Sequence, residues 1–175
     1  FEVTDDYLFD GDIHLRQPKI GYRVSIDTIL LAAAVPAKNN EMILDLGSGT
    51  GASAICLHYR VRNCRVVGLE NDPNMLALAK ENVLLNGFEK KITFIEGTVI
   101  DLPKQIGKEL FDHVISIAVI HHLQYESDRI KAINEMIRVC KPGGKILISV
   151  WSVEQEKNSR RKFNFGDNMV GWQDT

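Results

Sequence analysis

The chain has 175 residues, 45% of them apolar and 25% charged, which is the balance of a single globular domain and excludes a disordered or fibrous polypeptide. A chain of this length buries roughly 70% of the surface its unfolded form exposes, so it needs no metal or disulfide to hold a core. With 21 Lys+Arg against 23 Asp+Glu the formal charge is −2, which excludes a protein that grips nucleic acid by charge alone, though not a nucleic-acid substrate.

Residues 5–16 alternate polar and apolar around Asp10-Gly11, a dipeptide suited to the positive φ angles of a tight turn, and predict a small hairpin. From Ser25, a helix cap, the residues Ile26, Ile29, Leu30, Ala33 and Ala34 recur at helical spacing up to Pro36 and predict a short amphipathic helix laid over a core. Five short apolar, β-branched runs follow, at 42–46, 65–69, 91–95, 111–117 and 145–151, each bounded by Gly, Asp, Asn or Pro. Between them, 52–60, 73–86 and 127–140 carry three-and-four apolar spacing, with Pro73 at a helix start and Gly87 just past a helix end. Alternating strands and helices predict a doubly wound α/β fold with a mainly parallel sheet. The connection 97–110 is short and holds Pro103, which predicts a loop with one helical turn. The expected organisation is therefore an amino-terminal hairpin and helix over 1–40, a ligand-binding core over 41–151 and a tail over 152–175. The fifth core strand leaves an edge that has to be covered or paired, by a partner protein or a second copy.

The 3 cysteines, Cys56, Cys64 and Cys140, show no Cys-x-x-Cys pairing, which argues against a disulfide framework or a zinc knuckle and suits a reducing cytoplasm. No apolar run approaches the roughly 20 residues of a membrane span, and no metal site is expected. The chain opens on Phe1 instead of Met, so a processed or trimmed product, with its true ends elsewhere, is the expectation.

The most informative stretch is Ile43-Leu44-Asp45-Leu46-Gly47-Ser48-Gly49-Thr50-Gly51, a buried strand that runs into a glycine-rich turn and then a helix. Glycines there let the backbone bend sharply and let a ligand approach main-chain N–H groups. A dinucleotide turn has its third Gly one residue later than Gly51, and a triphosphate loop ends in Gly-Lys-Ser/Thr, so phosphate recognition has little support. Glu70 closes the second core strand, 25 residues after Asp45, where a carboxylate accepts hydrogen bonds from both hydroxyls of a ribose. Together they suit a nucleoside without phosphates.

These segments, with the Gly97 region, Phe111-Asp112-His113-Val114-Ile115-Ser116 and Lys141-Pro142-Gly143-Gly144-Lys145, resemble the successive signature segments of class I S-adenosylmethionine-dependent methyltransferases over about residues 40–150. The resemblance implies that the cofactor S-adenosyl-L-methionine lies against Asp45, Gly47, Ser48, Gly49 and Gly51. It implies further that Glu70 holds the ribose, that Thr98 and Val99 flank the adenine, and that Asn71, Gly97 and Ile117 also belong to the cofactor site. Many members carry Asp where Thr98 stands.

Residues 3–115 further resemble bacterial small-domain tRNA adenine-N6 methyltransferases, through Leu15-Arg16-Gln17-Pro18, Gly21-Tyr22-Arg23 and the helix from Asp27. That likeness implies that Gln17, Tyr22 and Asp27 line the cofactor mouth. Those relatives continue after Ser116 with Asn-Pro-Pro-Tyr, which supplies acceptors and a stacking face for an extruded base. This chain reads Ile117-Ala118-Val119-Ile120-His121-His122, and residues 116–156 resemble instead the eukaryotic-type tRNA methyltransferases that esterify a carboxymethyl group on the wobble uridine. His121 and His122 fall just beyond the fourth core strand, at the edge where open α/β sheets bind ligands, and are the candidate catalytic pair. Methyl transfer to tRNA, at a base or its carboxymethyl modification, is the expected function. A small-molecule acceptor and a cofactor-binding module without catalysis are the other readings.

Overall fold

The computed structural model describes residues 2–150. The expected strand end at Trp151, the tail 152–175 and its basic run 157–162 lie outside the described residues. The chain begins with an antiparallel hairpin, β1 (Val3–Leu8) and β2 (Ile13–Pro18), joined through a tight 3-10 turn at Phe9–Gly11. After α1 (Ile26–Ala34) come β3 (Met42–Leu46), α2 (Ala52–Arg60), β4 (Arg65–Glu70), α3 (Pro73–Leu85), β5 (Ile92–Glu96), β6 (Phe111–Ile117), α4 (Glu126–Val139) and β7 (Cys140–Ser149).

The five core strands form one parallel sheet in the order β5-β4-β3-β6-β7. The chain builds outward from β3 through β4 to β5, then returns to lay β6 on the other flank of β3. The strand order therefore reverses beside β3, and the crevice at the carboxyl ends of the strands opens there. β3 is buried on both faces, as a central parallel strand must be. Ile43 points into a core shared with α1, α2 and α3, while Leu44 and Leu46 point into a second core under α4.

The connection 97–110 contains no helix, contrary to the sequence expectation. Val99, Leu102 and Ile106 turn into the core beneath α4, and the Ile106 carbonyl accepts from Arg138 Nη1 at 3.1 Å. The loop thereby does the covering that a helix does elsewhere. The α1 face is also rotated from the expected one: Thr28, Ala32 and the following Val35 are buried, while Ile26 is 64% and Leu30 59% exposed. Small side chains on the inner face let α1 lie close to α2, and the bulkier aliphatics are left outside. The segment Lys141-Pro142-Gly143-Gly144 interrupts regular pairing within β7, since Phe111 pairs with Cys140 and His113 with Lys145.

The hairpin is tied down by two asparagines one turn apart, Asn82 on α3 and Asn86 at its carboxyl cap. Asn82 Oδ1 accepts from Arg16 N at 2.7 Å, and its Nδ2 donates to the carbonyls of Arg16 and Thr50, both at 2.9 Å. Asn86 repeats the pattern on His14, accepting from its N–H at 3.0 Å and donating to its carbonyl at 2.7 Å. The two amides thus complete the outer edge of β2 as a neighbouring strand would, and Asn82 also fastens the glycine-rich turn. Ile13 and Leu15 of β2 fill the same core as α1 and α2. Asn82 is 0% exposed, so Asn82→Ala strands three backbone groups and should lower unfolding stability by about 2–3 kcal/mol in urea titration. An unchanged midpoint would show that water replaces all three bonds.

Candidate active site

Four loops meet at the carboxyl edge of the sheet, beginning with the turn after β3. Gly47, Gly49 and Gly51 have φ of +70°, +54° and +81°, a region that favours glycine. A methyl group on Gly47 would come within 2.3 Å of Val119, and one on Gly51 within 2.5 Å of Phe94. Above Gly49 there is open space to 4 Å. Close packing therefore demands the outer two glycines, whereas the middle one faces open space.

The turn is stitched to β4. The N–H groups of Gly47 and Ser48 both donate to the Leu69 carbonyl, at 2.8 and 3.0 Å, and Gly49 N donates to Glu70 Oε2 at 2.7 Å. The other Glu70 oxygen accepts from Asn71 N and Asp72 N, each at 2.9 Å. Gly97, after β5, donates to the Glu70 carbonyl at 3.1 Å, and Val99 packs inward while Thr98 lies exposed.

Asp45 is the most unusual group of the site. Its side chain is 1% exposed at the end of β3; Oδ2 accepts from Ser53 Oγ on α2, while Oδ1 has no hydrogen-bond partner among the described residues. Burial pushes its carboxyl from the ordinary 3.8 up to about 7, against the opposing Ser53 bond and with the charge of Glu70 adding to the rise. Tyr22 lies within electrostatic reach of Asp45, its hydroxyl 3.4 Å from Thr28 Oγ1 at the start of α1.

After β6, Ile117 pairs with Ser149, and Ala118 takes φ +54°, a strained value for a residue with a Cβ. Its N–H donates to the Ser149 carbonyl at 2.9 Å. The bend seats Val119 on Gly47 and leads into a 3-10 turn at Ile120–His122, where the rings of His121 and His122 lie 4.3 Å apart.

The structure thus gathers Asp45, Gly47, Ser48, Gly49, Gly51, Glu70, Asn71, Gly97, Ile117, His121 and His122 along one edge. It gives Gln17 a different task from the expected one: the side chain is 2% exposed, and its amide is spent on Asp6 and on the backbone of Val24. Sequence reasoning missed Ser53, Asn82 and Val119. Their polar or bulky character at those positions carries no motif, and only the fold brings them to the turn. Among the described residues no group of His, Cys, Asp or Glu is placed to hold a metal ion.

A parallel sheet with a glycine-rich turn, a buried acid before it and a second acid at the end of the next strand define a small-molecule-binding α/β domain. Residues 37–173 match the family described as Methyltransferase domain, and the chain belongs to that family. It is 53% identical over 123 residues to the tRNA (carboxymethyluridine(34)-5-O)-methyltransferase of Arabidopsis thaliana, covering 69% of this chain and 26% of that protein. It is 32% identical over 165 residues to the tRNA (carboxymethyluridine(34)-5-O)-methyltransferase alkbh8 of Xenopus tropicalis, covering 93% of this chain and 22% of that protein. Among solved structures it is similar to a methyltransferase complex with the Haloferax volcanii Trm112 methyltransferase activator, with a TM-score of 0.62 and 25% identity over 71% of this chain and 50% of that one. The chain therefore spans about a quarter of the length of these curated relatives.

The raised carboxyl has a consequence for stability. Between 3.8 and about 7, Asp45 is ionised in the unfolded chain and protonated in the folded one, so stability falls as pH rises across that window and the loss is complete above it. Asp45→Asn carries no such charge, and its thermal midpoint relative to the parent chain should climb between pH 5 and pH 8. A difference that stays constant with pH would mean that Asp45 folds ionised.

Proposed function

We propose that the chain is the core of an S-adenosylmethionine-dependent methyltransferase that acts on tRNA, at a base or at its carboxymethyl modification. The observation that carries the reading is the buried Asp45, with one oxygen unmatched among the described residues, in the strand that leads into a turn with open space over Gly49 and with Glu70 bonded across it. A buried acceptor without a partner costs free energy in the folded chain and is retained where a ligand completes it. The open Asp45 oxygen suits the ammonium of a bound amino acid moiety, and that ion favours the charged carboxylate. Bound here, S-adenosylmethionine supplies a methyl group on a sulfonium sulfur that is already electrophilic.

Glu70 is the acceptor for the ribose hydroxyls. A carboxylate offers about four lone-pair sites, and backbone N–H groups take three of them here. Accepting two hydroxyls therefore draws Glu70 away from Gly49 and frees that N–H for the ligand. Gly97, Thr98 and Val99 form the neighbouring wall for the base, with Ile117 and Asn71 at its ends. The loop seated on Gly47 carries His121 and His122, whose imidazoles orient an acceptor carboxylate or take a proton from a hydroxyl or amine. Alignment and exclusion of water do the rest of the work.

The tRNA acceptor is supported by the two relatives named for carboxymethyluridine(34) methylation. With a formal charge of −2, this chain needs help to hold RNA, from further polypeptide or from a partner protein. The activator in the similar solved complex supports a partner, and the edge of β7, the last strand of the sheet among the described residues, is a place for one, or for a second copy. The free, buried thiols of Cys56, Cys64 and Cys140 suit a cytoplasmic setting.

Calorimetric titration with S-adenosylmethionine and S-adenosylhomocysteine should show one site per chain. Glu70→Ala should weaken it by about 1–3 kcal/mol, the worth of charge-assisted hydrogen bonds. Unchanged affinity removes Glu70 from the site, and no binding removes the cofactor. Transfer of labelled methyl groups into bulk tRNA, compared with a panel of small carboxylic acids, tests the acceptor. Preference for the acids contradicts the RNA reading, and binding without transfer to either leaves a module that holds the cofactor without catalysis.

A further inference from the structure

The segment 19–24 between β2 and α1 has no regular secondary structure, and its Ile20 is 86% exposed. Only Val24 packs on the core. The segment is held instead by a polar clamp centred on Asp6 of β1. Asp6 Oδ2 accepts from Arg23 Nη2 at 2.6 Å, Gln17 Nε2 at 3.0 Å and Thr4 Oγ1 at 3.0 Å. Gln17 passes the constraint on, since its Oε1 accepts from Val24 N at 2.6 Å. Arg23 Nη1 donates in turn to Thr4 Oγ1 and to the Pro18 carbonyl, both at 2.7 Å.

Three donors on one oxygen come from three different stretches: β1, β2 and the segment itself. A bond serving the hairpin alone would join strand to strand, whereas the strongest member here, the Arg23 guanidinium, belongs to the irregular segment. Arg23 and Val24 are the two residues that follow Tyr22. Fixing their backbone fixes where the Tyr22 ring emerges, next to Thr28 on α1 and within reach of Asp45. None of the clamp's hydrogen bonds involves a group of the glycine-rich turn.

We infer that Asp6 is a positioning residue for the cofactor site: by gripping Arg23 and Gln17 it holds the segment 19–24 so that Tyr22 stays beside Thr28 at the start of α1, on the side of the fold that Asp45 faces. The inference rests on the cofactor reading given above and extends it to a residue in the peripheral hairpin. Gln17 belongs to the same device, which accounts for a buried amide that faces inward at a place where the family likeness suggested a ligand contact.

The test is the affinity of the full chain for S-adenosylhomocysteine, with thermal unfolding followed on the same samples. Asp6→Ala should raise Kd about tenfold, and Asp6→Asn, which keeps an acceptor for Gln17 and loses the charge facing Arg23, should fall between. Arg23→Met, on a partly exposed side chain, should reproduce the loss if Asp6→Ala folds poorly. A role through Tyr22 makes the effects non-additive: in a Tyr22→Ala background, Asp6→Ala or Arg23→Met should weaken binding no further. Parent-like affinity in folded Asp6→Ala or Arg23→Met, or full additivity with Tyr22→Ala, would overturn the inference while leaving the cofactor reading intact. Failure of the parent chain to bind at all would remove both.

Discussion

A buried carboxyl group with one oxygen unmatched among the described residues is the constraint around which the molecule is arranged. Asp45 lies at the end of the central strand, where desolvation disfavours its charge and a single serine hydroxyl answers one of its two oxygens. Such a group is costly in a folded chain that has nothing to put beside it. The turn that follows is bent by glycines, tied to β4 through the Leu69 carbonyl, and capped by the loop after β6 through Val119. Each contact holds the turn from one side and leaves the space over Gly49 open. The site is thus a consequence of reversing strand order beside β3, which brings the ends of β3, β4 and β6 together around one buried acid.

Much of this was legible in the sequence because the relevant residues are constrained locally. A continuous apolar run followed by glycine at every second position specifies a buried strand and a sharp turn without help from the rest of the chain. Pro73 and Gly87 mark the two ends of α3, and in the structure Asp72, just before Pro73, accepts from Asn74 N and Met75 N as a cap. The signals failed where tertiary packing decides. Helical spacing alone could not choose which face of α1 turns inward, because α1 is apolar on more than one side and its small residues fit α2 better. In the loop 97–110 the buried Val99, Leu102 and Ile106 stand three and four residues apart, as on a helix face, but Pro103 and Gly107 in the same stretch break the helix that this spacing suggests. Asn82 and Asn86 read as ordinary polar positions on a helix, since nothing local reveals that a strand edge will arrive opposite them.

The two family likenesses bear differently on the two parts of the chain. The carboxymethyluridine-type likeness was read from residues 116–156, where the strained bend at Ala118 and the paired histidines lie, yet the Xenopus relative is similar over 165 residues. The amino-terminal hairpin is not an appendage in this architecture. Its strand β2 contributes Ile13 and Leu15 to the main core, and its polar face organises the segment leading to α1. The same asparagine that completes its edge also holds the carbonyl of Thr50 in the glycine-rich turn. Peripheral and central parts of the fold therefore share supports, which is how a small domain keeps a ligand turn rigid.

The measurement that tests this account most directly is a carbon-13 NMR titration of the Asp45 carboxyl in the free chain and with saturating S-adenosylhomocysteine. The account predicts titration near pH 7 when free and a shift toward the ordinary carboxylate range when bound, because an ammonium beside the open oxygen stabilises the charge. A carboxyl that titrates identically with and without the ligand would contradict it.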